Sequence, residues 1–249
     1  MMILSVDELR VAAAVIGAGL PTVLDVFATD DLGADAAAAR SLVARELATP
    51  GAAEPLAIEL SAALADALDA LRMPASVHEL ELDSGLGARL RCAEVRDAAG
   101  QLRVLRERSH DIWCLDDVAV ISEALTAAQP VVAGTGAVVE VGLAEHAKLD
   151  ELLAERRYDD VNRLLGERGL FLAEALIDPE RTVGRLSLAC PVDDDGIALE
   201  RIAWVSAACG TWVVQAADLD SELAVTTFTP VEPADLVAEI DTMAKAASA

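Results

Sequence analysis

At 249 residues, 54% of them hydrophobic and 25% charged, the chain is long and apolar enough to bury a substantial core, which excludes intrinsic disorder. A formal charge of −24 opposes phosphate backbones and anionic membrane surfaces, so neither nucleic acid nor membrane is an expected partner. The longest apolar run, "VAAAVIGAGLPTVL", falls short of the roughly 20 residues a bilayer span needs and contains Pro21.

Asp7 and Glu8, with no Lys or Arg before them, argue against a signal peptide, and a cytoplasmic location is expected. Ser5 and Glu8 form an S-x-x-E capping box ahead of Leu9, Ala12, Ala13 and Ile16, which predicts a helix closing at Gly17 or Gly19. "PTVLDVFA" reads as a short strand, and an Asp- and Gly-rich loop precedes a helix near Ala34–Leu47. After the break "TPGAAEP", the spacing of Leu56, Leu60, Leu64, Leu68 and Leu71 predicts one long helix ending before Pro74.

Four strand-like runs follow, "SVHELEL", "ARLRCAEV", "LRVLRER" and "DIWCL", separated by turn signals such as "DSGLG" and "DAAG". "DDVAVISEALTAA" then reads as a helix with Asp116 or Asp117 as its N-cap. The second half repeats the plan. A strand "AVVEV" leads to helices near Glu145–Arg156, Tyr158–Arg168 and Leu170–Leu176. Four more strands come next, "TVGRLSLAC", "ALERIAWVSA", "TWVVQAA" and "LAVTTFT". Pro230 ends the last of them, and Pro233 opens a terminal helix, Ala234–Ala247, whose apolar positions are Leu236, Val237, Ile240 and Met243.

Helices, four strands and a closing helix therefore occur twice, as a repeat of pattern rather than of letters. Four consecutive strands with short turns imply antiparallel meanders, and helix runs beside them imply an α+β fold. A single domain, 1–249, is expected, with pseudo-repeat halves of about 1–130 and 131–249. Joining two such sheets would cover an apolar face that each half leaves open.

Motifs for chemistry are sparse. "RVAAAVIGAG" contains G-x-G, but Thr22 stands where a dinucleotide fingerprint has its third glycine, and the capping box makes the segment a helix end. His78, His110 and His146 lack metal-ligand spacing, so neither a metal nor a cofactor is expected. "DDDG", Asp193 to Gly196, fails the calcium-loop template and reads as a hairpin turn. No nucleophile motif or acid/base pair stands out, and the chain is not read as an enzyme. Cys92, Cys114, Cys190 and Cys209 form no C-x-x-C pair and read as buried free thiols.

What remains is surface for a protein partner. In "ALERIAWVSA", alternation puts Glu200, Ile202, Trp204 and Ser206 on one face and Leu199, Arg201, Ala203 and Val205 on the other. Both faces mix apolar and polar residues. Trp204 is either a core residue or an anchor in a recognition groove, and Trp113 and Trp212 carry the same two readings. "RDAAGQ", Arg96 to Gln101, is either a plain hairpin connection or a partner-contacting turn.

The chain resembles the EspG family of actinobacterial ESX (type VII) secretion-associated proteins over nearly its whole length. The likeness lies in "LSVDELRVAAAVIGAGLPTVLDV", in "PASVHELEL" followed by "ARLRCAEVR", and above all in "GTWVV" followed by "ELAVTTFTPVEPADLVAEIDTM". The resemblance implies quasi-twofold halves, a central antiparallel sheet and flanking helical bundles. It implies a cytosolic chaperone that binds the hydrophobic helical tip of a PE–PPE heterodimer and keeps it soluble for secretion, acting as a monomer or weak homodimer. Carried onto this chain, the partner-binding positions are Arg96, Asp97 and Gln101 in the turn, Glu200, Ile202 and Trp204 in the sheet, and Leu236 in the closing helix. Two other readings stand beside it: an α+β small-molecule-binding domain or enzyme, and a scaffold assembling through its own sheet.

Overall fold

The computed structural model describes residues 1–24, 32–51, 57–84, 87–128, 130, 132–192, 196–216 and 225–246. The fold is α+β. Strands β1 (Met2–Ser5), β4 (Pro74–Ser84), β5 (Arg89–Asp97), β6 (Leu102–Ser109), β7 (Ile112–Asp116), β8 (Val139–Gly142), β9 (Thr182–Val192), β10 (Gly196–Ala207), β11 (Gly210–Ala216) and β12 (Val225–Pro230) form one antiparallel sheet. Its order is β1-β7-β6-β5-β4-β9-β10-β11-β12-β8. A separate two-stranded sheet pairs β2 (Ala48–Pro50) with β3 (Ile58–Leu60).

The order repeats a rule. An early strand, β1 or β8, pairs with the last strand of the meander that follows it, β7 or β12. Each early strand also runs straight into a helix, α1 (Val6–Ile16) or α5 (Leu143–Ala154). In both, a glutamate three residues on accepts the N–H of the first cap residue: Glu8 from Ser5 at 2.9 Å and Glu145 from Gly142 at 3.2 Å.

The chain divides into two compact units. Unit 1 comprises Met1–Leu80, Leu90–Ser122 and Leu188–Leu199; unit 2 comprises Glu81–Arg89, Glu123–Ser187 and Glu200–Ala249. In unit 1, the core gathers Leu4, Leu9, Leu42, Leu64, Leu68, Val95, Leu105 and Trp113. These come from β1, α1, α2 (Leu32–Ala44), α3 (Ala62–Leu68) and one face of β5, β6 and β7. Glu8 is 4% exposed beside this core. Besides the Ser5 N–H, its carboxylate accepts the Ser41 hydroxyl at 2.7 Å and Arg45 Nη1 at 2.7 Å, so a buried charge is fully paired.

In unit 2, helices α5, α6 (Tyr158–Leu165) and α7 (Leu170–Ile177) cover Val139, Val141, Val205, Trp212 and Phe228 of the sheet. The segment before β8 meets the ends of β11 and β12. Gly134 N–H donates to Val231 O at 2.9 Å, Val231 N–H to Thr211 O at 3.0 Å, and the Thr211 hydroxyl to Val132 O at 2.8 Å. A Cβ on Gly134 would stand 2.0 Å from the Thr211 carbonyl oxygen, so the approach requires glycine.

Four expectations change. Thr22–Leu24 is a 3-10 turn rather than a strand, held by Glu79, whose carboxylate accepts the Thr22 N–H and hydroxyl; the rest of "PTVLDVFA" lies outside the described residues. The long leucine helix is shorter, because Ile58–Leu60 pairs as β3 and Ser61 caps α3 by accepting the Leu64 N–H. Leu56 lies outside the described residues. Helix α4 (Ile121–Ala127) begins after the expected caps Asp116 and Asp117. Glu94 of β5 serves instead, accepting the Val120 N–H at 2.6 Å and the Ile121 N–H at 2.8 Å. "DDDG" falls outside the described residues up to Asp195. Of the cysteines, Cys92 and Cys114 are buried, but Cys190 and Cys209 are half-buried.

Candidate protein-interaction surface

The Arg96–Gln101 turn is a hydrogen-bonded hairpin tip. Asp97 organises it: its Oδ1 accepts the Ala99 N–H at 2.9 Å and the Gln101 N–H at 2.8 Å, while its own N–H donates to Gln101 O at 3.2 Å. Gly100 takes the left-handed conformation, φ +79, that closes such a turn at no steric cost. Arg96 and Asp97 are half-buried, and Ala98 through Gln101 are exposed. The structure thus brings Asp97 and Gln101 together, with Arg96 paired across the ladder to Leu102.

On β10 the structure separates the residues that alternation grouped. Glu200 is exposed, whereas Ile202 is 3% and Trp204 1% exposed. The Trp204 ring occupies the space a side chain at Gly184 would need: a Cβ there would lie 2.0 Å from Cζ2. Trp204 is therefore a core residue, and its indole N–H is buried without a hydrogen-bond partner among the described residues. Trp113 and Trp212 are each 1% exposed, core residues as well. Leu236 of the closing helix α8 (Pro233–Ala246) is 1% exposed, on the side that also buries Ile240 and Met243. Ile202, Trp204 and Leu236 consequently offer almost no surface to a partner. Arg96, Asp97, Gln101 and Glu200 do.

The outward side of β9 and β10 carries side chains that sequence reasoning left undecided. In unit 1, Ile197 and Leu199 project from the same side of β10 and are 71% and 49% exposed. In unit 2, Gly184 and Leu186 alternate as buried positions of β9, so Val183 and Arg185 face the other way and are exposed. The readable signal was β9 itself, where Gly, Leu and Leu alternate against Val and Arg.

Titratable groups are mostly structural. Arg91 of β5 lies buried in unit 1, donating to Val23 O, 3.7 Å from Glu107 and over the Trp113 ring at 5.7 Å. Burial, helped by the charge of Glu94, pushes the Cys92 thiol up to about 12, so it stays protonated and inert. His110 lies 3.1 Å from Asp111, and His146 3.9 Å from Asp150. Among the described residues, no group of three or more His, Cys, Asp or Glu is placed to hold a metal ion, and no helix is long and apolar enough to cross a membrane. No family model matches the chain, and no curated protein matches it.

Proposed function

We propose that the protein is a cytoplasmic secretion chaperone that captures the apolar helical tip of a PE–PPE-type heterodimer and keeps it soluble for type VII secretion, performing no reaction. The observation that carries this reading is the pair Ile197 and Leu199: successive outward positions of one strand, both large and aliphatic, both in water. A strand that sets adjacent aliphatic side chains in solvent leaves apolar area that a partner helix can cover. Stable capture buries on the order of 1,600 Å² in total, and a chain of net charge −24 keeps such a complex dispersed. The resemblance in "GTWVV" and "TTFTPVEPADL", which form β11, β12 and the start of α8, supplies the identity of the partner.

Co-expression of the full chain with PE–PPE pairs, followed by affinity pull-down, tests this. A pair should co-elute with the wild-type chain and be lost with Ile197→Asp/Leu199→Asp, while that variant keeps the wild-type circular dichroism and melting curve. Retention of no pair, or equal retention by the folded variant, would refute the reading. A stable homodimer that excludes added pairs would favour the self-assembling scaffold.

A further inference from the structure

In unit 2, the helices α5 to α7 lie over the sheet side that carries Val205 and Trp212. Arg201 and Ala203 alternate with Val205 and therefore project from that same side of β10. Arg185 and Val183 oppose the Gly184 side of β9. Because the Trp204 ring fills the space above Gly184, the two strands share their buried side, and hence also their outward one. Arg185 and Arg201 are exposed, Val183 is 40% exposed and Ala203 half-buried, so the helical layer stops short of this strip. The chain holds 43 carboxylates to 19 Lys and Arg, yet neither Arg185 nor Arg201 makes an ion pair among the described residues. Arg157 and Arg163, on α6 or just before it, both engage Asp160.

Sheet faces are covered by helices in this class of architecture, and here α5 to α7 already cover the neighbouring strands. The piece that completes the layer is a further helix. Two guanidinium groups flanking small apolar side chains are complementary to carboxylates flanking an apolar stripe. We propose that the outward strip Val183, Arg185, Arg201 and Ala203 docks an acidic amphipathic helix of a partner protein, its carboxylates pairing with the two arginines and its apolar stripe covering Val183 and Ala203. This rests on the partner-binding reading above and adds the chemistry of the bound segment. The pairing orients the helix in register against a surface that is otherwise repulsive to it.

The test is fluorescence anisotropy on the purified full chain with two labelled amphipathic helical peptides. They are identical except that two Glu flanking the apolar stripe in one are Gln in the other. At low salt the Glu peptide should bind about five- to ten-fold more tightly, with the gap narrowing as salt is raised. Arg185→Gln/Arg201→Gln should abolish the gap with an unchanged melting curve, and Arg156→Gln/Arg168→Gln, elsewhere in unit 2, should preserve it. Equal binding of both peptides to the wild type, binding of neither, or loss of the gap in the Arg156/Arg168 control would overturn the proposal. So would concentration-dependent self-association that the Arg185/Arg201 variant removes. Equal peptide binding overturns the charge pairing and leaves capture of a helix standing; a preserved Glu preference with no PE–PPE pair retained removes the named partner and leaves the arginine strip.

Discussion

Replacing Gly184 by Ala should destabilise the protein, although the same change in an ordinary strand is favourable. Alanine is less flexible than glycine in the unfolded chain and normally adds about 0.4–1 kcal/mol of stability where the backbone permits it. Here the added Cβ would lie 2.0, 2.2 and 2.5 Å from Cζ2, Cε2 and Cη2 of Trp204, against ordinary carbon–carbon contact of about 3.5–4.0 Å. Trp204 is 1% exposed and cannot swing into solvent, so ring or strand must shift inside a packed core. Overpacking of that kind costs about 1–3 kcal/mol, and the walled-in ring places this case near about 3. Tm should fall by roughly 6–12 °C. Urea unfolding of wild type, Gly184→Ala, Trp204→Leu and the double variant measures the coupling directly. The Gly184→Ala penalty should largely vanish once the ring is gone. A neutral or stabilising Gly184→Ala, or a penalty that is the same with and without the ring, would refute the reasoning.

Other consequences are independent of this contact. Glu8→Gln should cost about 2–3 kcal/mol at neutral pH, because Ser5, Ser41 and Arg45 lose a charged acceptor. Burial by itself would raise the Glu8 carboxyl, but hydrogen bonds from Ser41, the Ser5 N–H and Arg45, with the charge of Arg45, bring it below its ordinary 4.5. The folded state thus takes up this proton less readily than the unfolded chain. The contribution is complete above that ordinary value and is lost as pH falls through the lower folded one, so urea midpoints of wild type and Glu8→Gln should converge in acid. Glu94→Ala should cost about 1–2 kcal/mol and raise hydrogen exchange at Val120 and Ile121, whose N–H groups lose their acceptor. A thiol reagent at mildly alkaline pH should label Cys209 in the folded protein and reach Cys92 only on unfolding; comparable labelling rates at the two would contradict the burial described.

The long meander strands were legible because their neighbours are local. Ser76, His78, Leu80 and Leu82 alternate as buried positions along β4, and a short turn brings the next strand alongside. The capping box of Ser5 and Glu8 is likewise local chemistry, and it stands as read. What was missed depends on distant partners. Met2–Ser5 becomes a strand because Leu115 to Ile112 lie opposite it, and four residues carry too little pattern to announce that. Ile58–Leu60 looks helical beside Leu64 and Leu68 until it pairs with Ala48–Pro50. Glu94 caps a helix 27 residues further on, which no local motif encodes.

The candidate surface was half legible. The turn residues Arg96, Asp97 and Gln101 are accessible as the hairpin signal suggested. The side of β10 was not decidable, since both of its faces mix apolar and polar residues. The structure buries both sides locally: the Trp204 ring packs over Gly184 on one, and Val205 lies beneath α5 to α7 on the other.

The discontinuous make-up of unit 1 bears on how the chain emerges during synthesis. Its final piece, Leu188–Leu199, is made only after residues 123–187 of unit 2 have been synthesised. Nascent unit 1 must therefore wait incomplete, its unfinished apolar positions available to chaperones or to aggregation. A fragment ending near residue 130 would be stranded in that state permanently, so expression of the halves as separate proteins should give insoluble material where the intact chain does not.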